Sequence, residues 1–213
     1  MPTDPRLLTL AQWLSPAYPL GSFAFSHGLE AAVAEGWVVA DTLQGWLDDT
    51  LRHGAGRSDA ILLRLAHDAE GAALARLDVE ARAFAGGAER LAESARQGAA
   101  FARTTAAIWG FDLPPMLLPV AVGRATRLAA LDPDDACALS LQAFAANLVA
   151  CAQRLLPLGQ TEGQRILAAL APVVTEIAGA SRDATLDDLA TTAFLSEIAA
   201  MRHEIQAPRL FQT

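Results

Sequence analysis

The chain has 213 residues, of which 53% are apolar and 19% charged, and its formal net charge of −8 sits with a pI near 4.9. That balance excludes charge-driven binding to nucleic acid or to an anionic membrane surface, because no arginine-rich run offsets it. It leaves room for one sizeable core, and no linker divides the chain, so residues 1–213 are expected to form one domain. All sixteen basic residues are arginine; without lysine, a phosphate-binding G-x-x-x-x-G-K-[ST] loop cannot form. Alanine is abundant and β-branched residues are sparse, which favours helices over sheets.

Met1 to Arg6 shows no cationic segment leading into a long apolar run, so it does not read as a signal peptide. No uninterrupted apolar run of about 18 residues suggests a membrane span. Cys137 and Cys151 fall on one expected helix, fourteen residues apart. At about 1.5 Å rise per residue that is about 21 Å, beyond the roughly 7 Å a disulfide spans. A reducing cytoplasm is the expected compartment.

In chain order, Leu7 to Leu14 reads as a short helix after a flexible start over residues 1–5. A loop rich in Pro, Gly and aromatics follows, from Ser15 to Phe25; its fixed backbone and near absence of charge suit a packed or partner-facing segment. A second helix is expected from Ser26, as N-cap, to Glu35, with Gly36 as its stop and Leu29, Val33 and Trp37 on its buried side. Asp41 caps a third helix carrying Leu43, Trp46, Leu47 and Leu51, broken by Gly54 and Gly56. Ser58 or Asp59 starts a fourth, with Ile61, Leu62 and Leu65 inward.

Glu70 to Ala85 and Ala88 to Trp109 read as two helices parted by Gly86-Gly87. In the second, Phe101 and Ile108 point inward, with Thr104 or Thr105 beside them. Pro114-Pro115 opens a helix running to Leu131, weakened at Gly123. Asp132-Pro133-Asp134-Asp135 is a strong helix start. From there Cys137, Leu141, Phe144, Leu148, Cys151 and Leu155 form an apolar seam of heptad period, either core or interface. Ser140, Asn147 and Arg154 recur on another face. After the break at Pro157-Leu158-Gly159, Gln160 to Arg182 is a helix that Pro172 should kink. A last helix spans Thr191 to Ile205, and the tail 206–213 is too short to fold alone. The total is nine or ten helices and no sheet: an all-α, single-domain multi-helix bundle.

Catalytic chemistry is thin. His27 and Glu30, three apart on an expected helix, could offer two metal ligands or simply a helix-start hydrogen bond. No H-E-x-x-H or C-x-x-C spacing exists. Ser22 and Ser26 lie near His27, but no G-x-S-x-G turn supports a triad. The adjacent carboxylates Asp48-Asp49, Asp134-Asp135 and Asp187-Asp188 point apart on a helix and suit solvated faces. No cofactor and no catalytic residue is expected. Two segments stand out instead: the turn Pro157 to Gln164, where Gly163 implies either close backbone approach or a simple turn, and the terminal Arg209-Leu210-Phe211, either a docking peptide or a frayed end.

Three motifs carry a resemblance. Ser15 to Glu30 follows S-P-A-x-P-x-G-x-[FY]-x-[YF]-S-x-G-L-E. Arg154 to Gln164 follows a basic residue, then apolar-P-L-x-Q-x-x-G-Q. Met201 to Phe211 follows M-R-H-E-x-Q-x-x-R-L-[FY]. In these the chain resembles the UreF family of urease accessory proteins over essentially its whole length. It departs at Ala207-Pro208, where the family often has Tyr-Ser, in the loosely matching stretch Glu70 to Ala130, and in Ser140 to Asn147, which lacks the aromatic residues common in relatives. The resemblance implies an all-helical, usually dimeric adaptor with no activity of its own. Such a protein binds the scaffold protein UreD/UreH and recruits the GTPase UreG, whose modulation has been proposed for the family, so that nickel and carbon dioxide reach apo-urease. It further implies a GTPase-facing site of Gly21, Ser22, Phe23, His27, Gly28 and Glu30 with Arg209, joined in partner binding by Ser26, Arg154, Gln160, Gln164, Leu210 and Phe211. The tail is expected to order on the scaffold protein. The alternative is a direct nickel metallochaperone using His27, Glu30 and His203.

Overall fold

The structure is a computed structural model describing Asp4 to Thr213; the expected flexible start thus lies largely outside the described residues. It is all-α. The described residues form ten α-helices: α1 Pro5–Trp13, α2 Leu29–Ala34, α3 Leu43–His53, α4 Ala55–Asp68, α5 Gly71–Phe84, α6 Ala88–Trp109, α7 Leu118–Leu128, α8 Pro133–Leu155, α9 Gln160–Ala180 and α10 Phe194–His203.

Helix α8 is the hub, packing against α9, α4, α2, α7, α1 and α3. Asp132 caps it, accepting from the Asp134 N–H at 2.7 Å, and Pro133 takes the first helical position. Asp134 then pairs with both Arg64 of α4 and Arg182 beyond α9. Arg182 above all, with Arg64, holds its carboxyl below the usual range. Of the seam, Cys137, Leu141, Leu148 and Cys151 are fully buried, while Phe144 and Leu155 are partly so, which makes it core. A window of α8 has mean hydropathy 1.4, enough by length and composition to cross a membrane. Ser140, Gln142 and Asn147 interrupt that window, so it is not the uninterrupted apolar run of a span, and the helix's apolar side is spent on core contacts. Both cysteines are free.

Several boundaries differ from expectation for local reasons. Helix α1 starts at Pro5 because the Asp4 side chain accepts from Arg6 N–H at 2.9 Å. It delivers Trp13 into the core, edge-on to Phe101 at 5.5 Å and to Trp109 at 5.4 Å. Helix α4 begins at Ala55, so only Gly54 breaks the chain there. Gly56 lies inside the helix, where a Cβ would stand 2.7 Å from Leu51 Cα. Pro114-Pro115 does not open α7. The chain stays extended to Leu117, whose N–H donates to Asp78 at 2.7 Å, and Leu118 N–H donates to Ser94 at 3.2 Å. Ile108 is exposed rather than inward, whereas Thr105 is buried and bonds the Tyr18 hydroxyl at 2.8 Å. Helix α10 starts at Phe194 because Thr192 and Ala193 give their N–H groups to His53 O.

Gly123 is a contact point rather than a weak spot. A Cβ there would lie 2.2 Å from Leu63 O, so its absence lets α7 and α4 approach backbone to backbone. Gly163 plays a lesser version of this role between α9 and Gln153 and Val149 of α8.

Candidate functional site

The second helix starts two residues later than its sequence suggests, with Gly28 rather than Ser26 at the N-cap position. His27 (φ 56°) and Gly28 (φ 75°) are both left-handed, so regular helix begins at Leu29. Ser26 still caps in part, its hydroxyl accepting from Glu30 N–H at 3.3 Å. Gly28 is required twice over: a Cβ would meet Ala200 N at 2.5 Å, because α10 lies directly on this turn. His27 therefore sits off the helix and does not share a face with Glu30. Its ring is buried edge-on to Phe144 at 5.2 Å, with Nδ1 3.5 Å from Glu93, too long for a good hydrogen bond. Glu30 turns to His203 instead. The two-ligand metal arrangement of His27 with Glu30 is not assembled, and among the described residues no group of three or more His, Cys, Asp or Glu side chains is placed to hold a metal ion.

What is assembled is a tail clamp. The last residues lie beside the loop: Gln212 N–H donates to Ala24 O, and Ser26 N–H donates to Thr213 O, both at 2.8 Å. The Ser26 hydroxyl also donates to Thr213 O. Buried Glu30 receives Leu210 N–H at 2.6 Å, Phe211 N–H at 2.9 Å and His203 Nε2 at 3.1 Å. Burial works to raise the Glu30 carboxyl, but the Leu210 and Phe211 amides, with His203, hold it below the usual range. The opposite ring nitrogen of His203, Nδ1, faces Glu89 at 2.7 Å, and Glu89 receives Arg209 at 2.5 Å. Thr213 donates to Glu93 at 3.2 Å. Burial would also raise Glu93, and His27, Arg90 and the Thr213 hydroxyl hold it low.

Helix α8 supplies the floor. Asn147 donates to Phe25 O at 3.1 Å, and the Cys151 thiol donates to the same oxygen at 3.3 Å. Burial pushes that thiol up to about 12, so it stays protonated as this bond requires. Arg154 donates to Phe23 O at 2.9 Å and lies 4.2 Å over the ring of buried Phe211. The face of Asn147 and Arg154 is thus the one that holds the aromatic loop.

The structure gathers Ser26, Glu30, Arg154, Arg209, Leu210 and Phe211 in one place. Gly21 (φ 74°) leads the loop past it, and Ser22 donates to Gln97 at 3.4 Å. Phe23 projects outward, 73% exposed. Gln160 and Gln164 stand apart on the exposed first turn of α9, Gln160 accepting only from Gln153 at 3.3 Å. Sequence reasoning missed Glu89, Glu93, His203 and Thr213 as parts of the clamp. Glu89, Glu93 and Gln97 recur every fourth residue on an otherwise alanine-rich helix, which was a readable signal.

Beside the clamp, α10 presents Phe194, Ile198 and Met201, with Ile205 just past its end, as an exposed apolar stripe at spacings of four and three, while Ser196, Ala199 and His203 face inward. Beneath the aromatic loop lies a cavity of about 240 Å³ walled by Leu14, Leu20, Leu63, Val122, Leu141 and Phe144, among others, whose polar end is closed by the Arg90–Asp59 ion pair at 2.7 Å.

A helical fold whose most elaborated surface binds its own tail, next to a bare apolar stripe, defines a protein-binding protein. The comparisons agree. The UreF family model matches residues 38–171. A urease accessory protein UreF from Cereibacter sphaeroides strain KD131 is 55% identical over 211 residues, covering 97% of this chain and 98% of its own. Those of Roseobacter denitrificans and Ruegeria pomeroyi are 50% and 48% identical, each covering 100% of this chain and 96% and 99% of their own. The chain belongs to the UreF family of urease accessory proteins, and it is an accessory protein in urease maturation rather than an enzyme.

Proposed function

We propose that this protein is an adaptor that joins the scaffold accessory protein UreD/UreH to the GTPase UreG so that nickel can be inserted into apo-urease. The observation that carries this reading is the α10 stripe running into the clamped tail. Among the described residues, four large apolar side chains on one face stay well exposed, from Ile198 at 41% to Ile205 at 87%. The scaffold protein would cover that stripe and engage the tail. The GTPase would then meet the aromatic loop around Phe23, with Arg209, whose guanidinium stays partly exposed while paired to Glu89. Any effect on GTP hydrolysis would act through that contact. Gln160 and Gln164, outside the clamp, would contact partners separately or not at all. A cytoplasmic location and self-association as a homodimer belong to the same proposal.

The test uses two variants of the whole chain. Ile198→Asp with Met201→Asp should abolish capture of the scaffold protein, because burying a carboxylate in an apolar interface is strongly disfavoured, and should leave the helical circular dichroism intact. Arg209→Ala should keep the scaffold protein and lose the GTPase. Normal capture of both partners by both variants would sink the reading.

A further inference from the structure

His203 is fully buried and stands between two carboxylates, Nε2 3.1 Å from Glu30 and Nδ1 2.7 Å from Glu89. A neutral imidazole has one N–H and one bare nitrogen, so it can donate to only one of them. Glu30 already accepts two backbone N–H groups and Glu89 already accepts the Arg209 guanidinium, so neither is a candidate to carry the shared proton. Both ring nitrogens must then donate, and the ring is an imidazolium. The cluster counts two carboxylates against one imidazolium and one guanidinium, and it closes electrically only in that state.

The surroundings leave no substitute for that charge. From α2 the ring faces Glu30; from α6 it faces Glu89, with Glu93 one turn further on and held by Thr213. On its own helix, Arg202 turns away to Glu35 at 2.7 Å, and Glu204 turns away to Ala88 N–H at 2.9 Å. Arg209 reaches the cluster only through Glu89.

We infer that His203 is a positioning residue whose proton holds the C-terminal tail in its docked place, so that availability of the tail to a partner is linked to pH. When the ring loses its proton, a bare nitrogen faces a carboxylate oxygen. Glu30 or Glu89 must then swing away, and each is also an anchor of the tail: Glu30 for the Leu210 and Phe211 amides, Glu89 for Arg209. Docking therefore weakens when the ring gives up its proton, one proton per tail. The consequence for recruitment rests on the adaptor reading; the clamp itself is measured on the isolated chain, so the two can fail separately.

The experiment is nitrogen-detected NMR of the His203 ring in the full chain, with amide exchange at Leu210 and Phe211 from pH 6 to 9, expressed as protection over intrinsic exchange. We expect both ring nitrogens protonated wherever the tail is docked, and protection falling up to about tenfold per pH unit once the ring gives up its proton. Glu89→Gln supplies an amide that can donate to a neutral ring, so its tail protection should be lower and flat across this range. His203→Gln identifies the ring signals; should it fail to fold, the wild-type titration and Glu89→Gln still decide. A bare ring nitrogen at pH 7 with the tail docked, or flat protection in the wild type, would overturn the inference.

Discussion

Glu30→Gln changes one atom at the centre of the clamp and keeps its shape. Glu30 Oε1 accepts Leu210 N–H at 2.6 Å, and Oε2 accepts Phe211 N–H at 2.9 Å and His203 Nε2 at 3.1 Å. Glutamine retains one acceptor oxygen. In its better orientation the amide nitrogen confronts Leu210 N–H, donor against donor, at a cost of about 1–3 kcal/mol. The two surviving bonds lose their ionised acceptor, and each weakens by about 1 kcal/mol. The total is roughly 3–5 kcal/mol, or a hundredfold to a few thousandfold in the ratio of docked to released tail. The side chain is 8% exposed, so solvent screening takes little from this figure. The tail can leave without unfolding the bundle, which caps the loss at the free energy of docking. Amide exchange should therefore show Leu210 and Phe211 approaching unprotected rates while Ala145 and Leu148 in α8 stay as they were, and the thermal midpoint should barely move. Tail protection within tenfold of wild type would refute the reasoning. So would equal losses in tail and core, because then the tail is not a separate unit.

Three further outcomes follow from the same geometry. Gly123→Ala forces a methyl to within 2.2 Å of Leu63 O, so it should lower stability by about 1–3 kcal/mol, read as a lower urea midpoint at unchanged slope; an unchanged midpoint would mean that α4 and α7 are not so close. Cys151, its thiol pushed up to about 12 by burial, should resist alkylation by iodoacetamide at pH 8 and react fully once unfolded in guanidinium. Glu30 and Glu93 both titrate below their unfolded value of about 4.3. The stability they supply is thus complete above that value and is lost as pH falls through their lower folded values, and Glu93→Gln should flatten the acid limb of a urea-midpoint profile.

The helical class, most element boundaries and the role of α8 were legible in the sequence, because they follow from apolar spacing and from helix-start chemistry at Asp132. The expected cap of α3 by Asp41 is not formed: Asp41 lies in the short 3-10 turn Ala40–Thr42, and no side chain caps α3. Two of the misplaced starts share one cause. At Ser26 and Pro114 the local signal is sound, but a partner distant in sequence decides where regular helix begins: α10 lying on Gly28, and Asp78 and Ser94 taking the amides of Leu117 and Leu118. At Ser58 the helix starts earlier, at Ala55, with Gly56 inside it close against Leu51. The site was half legible. The aromatic loop and the tail stood out, and the face of Asn147 and Arg154 was noticed without its purpose. Pairing His27 with Glu30 assumed an unbroken helix that His27's positive φ denies. The acidic half of the clamp was hidden, because Glu89 and Glu93 lie more than a hundred residues from the tail they hold, in a helix whose alanine-rich wording resembles a solvated surface.

The adaptor role is tested most directly by co-expressing the chain with the urease scaffold protein and GTPase of its source and resolving the mixture by size-exclusion chromatography with light scattering. The account predicts a single complex containing all three, and its collapse when residues 206–213 are deleted while the truncated chain remains helical. Elution of the intact chain apart from both partners, or a complete complex formed by the truncated chain, would contradict it.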